Sequence, residues 1–186
     1  MKLSNGEKLI LLMLSEIYEK LGVDGETDPK FVRSAIISGN EWGLEWKYSG
    51  IPFDRQATPK PVKEVVDFLD MWSFIEEAYK GMSSEDKKLM ETSAAPFGMD
   101  VKFMGFDGNN ESEYLNIAHF LIDDMNRFPI FKARELNSHM RSISIYRRMY
   151  SVLKRMRKNL TPEKQLNATQ IIELLKAKAK TRPDQR

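Results

Sequence analysis

What most constrains this chain is a succession of helix start signals, each followed by apolar residues at helical spacing. Ser4 and Glu7 stand three residues apart, the arrangement of a capping box. After them Leu9, Ile10, Met13, Leu14, Ile17 and Leu21 recur close to the helical period. Leu11 and Leu12 widen the stripe. That predicts a first helix buried on more than one side, ended by Gly22 and Gly25. Asp28-Pro29 is a second start, an acidic cap followed by proline in the first turn. Gly39 stops that helix, and Asn40 is read as the cap of a short third one, "EWGLEWKY".

Thr58-Pro59 opens a long helix to about Lys80, apolar at Val62, Val65, Val66, Leu69, Trp72, Ile75 and Tyr79. Ser83 or Ser84 caps a short helix to about Glu91. "SEYLNIAHFLIDDM" reads as helix to about Asn126, with Pro129 blocking its continuation. Ser138 to Lys158 is the most regular helix, and Asn167 with Gln170 starts the last. Only "DVKFMGF" (100–106) alternates, as a short extended segment. The prediction is an all-α, multihelical single domain of about eight helices over residues 1–178, with 179–186 a disordered basic tail.

Several function classes fall away on composition. The chain has 186 residues, 41% of them hydrophobic, enough to bury a core. The absence of cysteine removes disulfides, thiol nucleophiles and cysteine zinc sites together. No apolar run approaches the length of a membrane span, and the N-terminus lacks the pattern of a signal peptide, so a cytoplasmic protein without a membrane partner is expected. His119 and His139, the two histidines, lie on different predicted helices. No zinc-protease, phosphate-loop, dinucleotide or nucleophile-elbow motif occurs, so no cofactor and no catalytic residue is assigned.

The stretch "FMGFDGNNESEY" (103–114) invites a calcium reading from Asp107. A calcium loop of that type needs glycine at its sixth position and glutamate at its twelfth; here these are Ser112 and Ala118. No metal site is therefore assigned. The structural reading is a turn allowed by Gly105 and Gly108, anchored by Phe103 and Phe106, and feeding a capped helix. A remote alternative groups Asp107, Glu111 and His119 as a hydrolytic carboxylate–histidine site.

The pattern F-x-G-F-D-x-x-x-E-x-x-Y-L over residues 103–115 resembles the signature of the YfbU family of bacterial helical proteins. "LSNGEKLILLMLSEIYE", "AIISGNEWGLEWKYSGI", "YRRMYSVLKRM" and "LNATQIIELLKA" agree with it in order and character, from about Leu3 to Ala177. The resemblance implies an all-helical cytoplasmic protein that associates with itself. It implies no reaction, so no catalytic residue carries over. The matching positions are Phe103, Gly105, Phe106, Asp107, Glu111 and Tyr114, expected to be structural.

Charge is divided unevenly. Residues 1–135 hold 16 Lys and Arg against 24 Asp and Glu, a net of −8, whereas residues 136–186 hold 13 against 3, a net of +10. On a helical wheel Arg141, Arg147, Arg148, Lys154, Arg155 and Lys158 share one side of the 138–158 helix, and Arg157 falls among the apolar residues. No acid lies between Leu136 and Pro162. The basic face is expected either to dock on the acidic body or to bind nucleic acid. Trp42, Trp46 and Tyr48 crowd one segment and are expected in the core or at a subunit interface. Residues 29–49 have a helix-turn-helix outline, but Glu41 and Glu45 on the second helix do not suit phosphates. The leading expectation is a non-enzymatic regulatory or interaction protein acting as a homo-oligomer, with nucleic-acid binding by the basic helix as the alternative.

Overall fold

The computed structural model describes residues 2–54, 56–157 and 165–179. Among them the chain forms eight α-helices and no β-strand, as the start signals imply. They are α1 (Asn5–Leu21), α2 (Pro29–Ile37), α3 (Trp42–Lys47), α4 (Lys60–Lys80), α5 (Ser84–Ser93), α6 (Ser112–His119), α7 (Ile143–Arg157) and α8 (Ala168–Lys176). The Ser4–Glu7 and Asn167–Gln170 capping boxes form, and Asp28 accepts from the Lys30 and Phe31 amides. Asn40 does not cap α3: its amide donates to Ser38 and its oxygen accepts from the Trp42 indole. α6 runs on into a π-turn, Phe120–Asp124, and a 3-10 turn follows at Pro129–Phe131. The expected extended segment contributes one parallel bridge, Phe106 to Asn137.

α4 is the central helix. Val62, Val65, Phe68, Leu69, Trp72 and Ile75 are buried along it, and α6 and α7 pack against its length. α8 packs on α5 and α7. A smaller cluster of Phe31, Val32, Ala35, Ile36, Leu44 and Phe120 joins α2, α3 and the π-turn.

α1 departs from expectation. Its helix forms, but Ser15 is its one buried residue. Leu9, Ile10, Met13, Leu14, Ile17 and Leu21 are each 50–71% exposed. Leu11 and Leu12 touch the smaller cluster, and ion pairs Lys8–Glu41 and Glu19–Arg33 (both 2.6 Å) tie α1 to the body. The stripe read as core is therefore an outer face in one copy of the chain. α1 lies on α2 through its other side, and none of the described residues covers the stripe.

The basic helix also starts later than predicted, at Ile143 rather than Ser138. His139 adopts φ 52°, outside the helical region, and the Asn137 side-chain oxygen accepts from the His139 and Gly108 amides. Residues 138–142 are thereby held as a loop. The disordered-tail expectation falls, apart from Ala179, on residues 180–186, outside the described residues.

Candidate functional site

The quoted motif is a clamp on the N-terminus of α7. The first amides of a helix have no partner inside it. For α7 the partner is Glu111, which is 8% exposed and arrives from 31 residues upstream. Its carboxylate accepts from the Ser142 amide (2.9 and 3.0 Å), the Ile143 amide (3.0 Å), the Ser142 hydroxyl (2.9 Å) and the Asp107 amide (3.1 Å). A carboxylate there also opposes the positive end of the helix dipole. The Glu111 carbonyl in turn accepts from Leu115, so one residue starts α6 and caps α7.

The other motif positions complete the clamp. Gly105 has φ 84°, and a Cβ there would run into the Leu136 carbonyl. Phe106 donates to the Leu136 carbonyl (2.9 Å) and accepts from Ser138 (3.0 Å). Asp107 accepts from the Asn109 amide and the Asn110 side chain, and the Asn110 bond holds its carboxyl below the usual range. Tyr146 of α7 packs on Phe68, Trp72, Phe103 and Phe106 with centroids 5.6–5.9 Å apart and donates to the Gly105 carbonyl (3.0 Å). Such aromatic pairs add about 0.5–1.5 kcal/mol each beyond their buried area.

α7 then meets a ladder of acids on α4: Glu64, Asp67 and Asp70, one turn apart. Glu64 takes a two-pronged contact from Arg147 (3.0 and 2.8 Å) and a hydrogen bond from the Tyr114 hydroxyl. Arg147 holds the Glu64 carboxyl below its ordinary value. Burial and the Glu64 contact push Tyr114 up to about 12. Tyr150 is likewise raised to about 12, by burial and by Asp67. Arg157, which the wheel left among apolar residues, pairs with Asp70 (2.8 Å) and lies over the Phe74 ring (5.5 Å).

The predicted basic set is thus divided. Arg147 is bound to Glu64, and Arg141 donates to Asn110 (3.0 Å). Arg148 spends its guanidinium on three carbonyls, those of Ser144, Ala177 and Lys178. Lys154 and Arg155 are exposed, with no hydrogen bond or ion pair among the described residues. Lys158 lies outside the described residues.

The remaining candidates do not converge. Asp107 and Glu111 are committed to amides, whereas His119 is exposed and bonds Asp123 (3.0 Å) one turn on. Arg127 stands over the Trp46 ring (5.1 Å). No cluster of three or more metal-ligating side chains occurs among the described residues. Trp42 and Trp46 are half-buried, edge to face (4.9 Å), with Trp42 also on Phe120 (5.4 Å); Tyr48 is half-buried against Phe31 (6.2 Å). Sequence reasoning missed the buried Glu76. It accepts from Arg134 through both oxygens (3.0 and 2.8 Å) and from the Phe103 amide (2.7 Å).

The fold and this clamp define an all-helical domain in which a cation-rich helix is locked onto an acidic central one. The chain belongs to the YfbU family: the model of the YfbU domain matches residues 1–177. It is also similar to the UPF0304 protein MJECS11 of Methanocaldococcus jannaschii, 30% identical over 155 residues, covering 79% of this chain and 84% of that protein. No solved structure matches it at a significant level. Among the described residues no helix is long and apolar enough to cross a membrane.

Proposed function

We propose that the chain is a non-enzymatic interaction protein that works as a homo-oligomer, with α1 as the surface between copies. The observation that carries this is the six-residue apolar stripe of a well-capped helix left uncovered in one copy. At about 100 Å² apiece these side chains expose on the order of 600 Å², most of the ~800 Å² per partner in a stable interface. A patch of that size stands at the top of the range for the largest apolar patch of a monomer, about 300–600 Å², and such patches are often functional. A two-fold pairing of α1 with α1 is self-complementary and buries the stripe on both sides.

Sedimentation of the wild type against an Ile10→Glu, Leu14→Glu variant tests the reading. The wild type is expected as an oligomer and the variant as a folded monomer, because neither side chain enters the core. A monomeric wild type at high concentration overturns it.

The second reading, nucleic-acid binding, is supported by the exposed Lys154, Arg155 and Lys176, which have no acid partner among the described residues. With Arg147 and Arg148 engaged inside the chain, three phosphate contacts predict a salt slope of about −3, against −5 or steeper for six. Titration at two salt concentrations separates the two.

A further inference from the structure

Beyond self-association, we infer that the groove between α7 and the C-terminal end of α8 is a binding site for a small amphipathic anion, a phosphate or carboxylate carried on an apolar body. The groove is an open cavity of about 570 Å³ bordered by Arg147, Arg148, Arg155 and Lys176. Val152 and Ala177 supply apolar surface beside them, and Ser151 lines the same space. Among the described residues its lining includes no carboxylate. Four other concave surfaces of the described residues each include at least one: Glu45, Glu64 with Asp67, Glu113, and Glu41 with Glu45.

The charge of this groove is built in. Arg148 is fixed by three carbonyl oxygens and, among the described residues, by no carboxylate, so its positive charge stays at the groove while its side chain is held still. Its bonds to the Ala177 and Lys178 carbonyls also quench the negative end of α8, which would otherwise repel an anion. Arg147 is neutralised by Glu64 and contributes position rather than charge. The donors without a partner among the described residues are Arg155, Lys176 and Ser151. A guanidinium fork and an ammonium suit a phosphate or carboxylate, which accepts charge-assisted hydrogen bonds from both. The apolar surface between them selects a ligand with a hydrocarbon or ring attached over a bare ion.

The test uses the full chain and calorimetric titration with octyl phosphate below its micelle threshold. Inorganic phosphate, decanoate, octyltrimethylammonium and a short single-stranded RNA serve as comparisons. Octyl phosphate and decanoate are expected to bind saturably, and inorganic phosphate at least about tenfold more weakly. Arg155→Ala with Lys176→Ala should weaken octyl phosphate about tenfold or more. Leu14→Glu on the distant α1 face should leave it unchanged. Both altered cations are exposed, so folding survives; the conservative Arg155→Lys should retain most of the binding.

Three results overturn the inference. One is equal uptake of octyltrimethylammonium, and another is binding lost in Leu14→Glu but kept in the double variant. The third is RNA binding that needs Arg155 and Lys176 while octyl phosphate fails to bind, which would give the groove to a polyanion. Because Leu14→Glu breaks only the proposed α1 interface, failure of self-association and failure of the groove are told apart.

Discussion

Glu111 is where the account of the motif is most exposed to test. Its carboxylate receives four donors at a position 8% exposed. Truncation in Glu111→Ala orphans the amides of Asp107, Ser142 and Ile143 together with the Ser142 hydroxyl. A buried donor left unmade costs about 1–3 kcal/mol. The hydroxyl can rotate, and the two α7 amides gain some water from the space left behind. A total near 4 kcal/mol follows, at the upper end of single substitutions. For a chain of this length that lowers Tm by roughly 8–16 °C. Glu111→Gln keeps size and one accepting oxygen but turns an amide donor toward N–H groups, and should cost about half as much. Urea unfolding followed by circular dichroism reads both, with an unchanged slope marking a change in stability alone. Hydrogen exchange should show the lost protection at Ser142 and Ile143 first. A Glu111→Ala chain within about 1 kcal/mol of wild type would refute the clamp, since no single orphaned donor could then be present.

Gly105→Ala should destabilise by more than about 2 kcal/mol, because φ is 84° and the added carbon meets the Leu136 backbone; a near-neutral result in urea unfolding would contradict the geometry. Glu64 has a carboxyl held below its ordinary value of 4.5, so its stabilisation is present above that value and is lost as pH falls through the lower folded one. Glu64→Gln should therefore flatten the acid limb of stability below pH 4.5, and an unaltered limb would show that Arg147 does not act on it. Glu76→Ala removes the carboxylate that Arg134 and the Phe103 amide share, and should cost roughly 2–4 kcal/mol. A double-mutant cycle with Arg134→Ala should give a coupling above about 1 kcal/mol, and additivity would sink the pair.

The helices were legible because their signals are local. Ser4 with Glu7, Asp28 with Pro29 and Asn167 with Gln170 act within one turn, and each cap formed. Asn40 is a local exception, bonding Ser38 and Trp42 instead of capping α3; the larger misses depended on a distant partner. The spacing of Leu9 to Leu21 announces an apolar face but not what covers it, so an outer face was read as core. The start of α7 was misplaced by five residues because its cap arrives from Glu111, 31 positions away. The charge imbalance poses a choice between docking and an outside polyanion. Only geometry could divide the set, pairing Arg147 with Glu64 across 83 residues and Arg157 with Asp70 across 87 while leaving Lys154 and Arg155 facing out. Among the motif residues, Gly105 was readable as a turn. The capping role of Glu111 was not, because a glutamate just ahead of one helix carries no mark that it serves another.

The absence of cysteine in the chain permits a direct test of the α1 interface. Ile10→Cys, Leu14→Cys and Ile17→Cys, each a sole thiol, would be oxidised mildly and compared with Glu85→Cys on the exposed side of α5. Rapid disulfide-linked dimers are expected for at least one α1 position, with slow, collision-limited linkage at position 85. Linkage at all three α1 positions no faster than at 85 would contradict it.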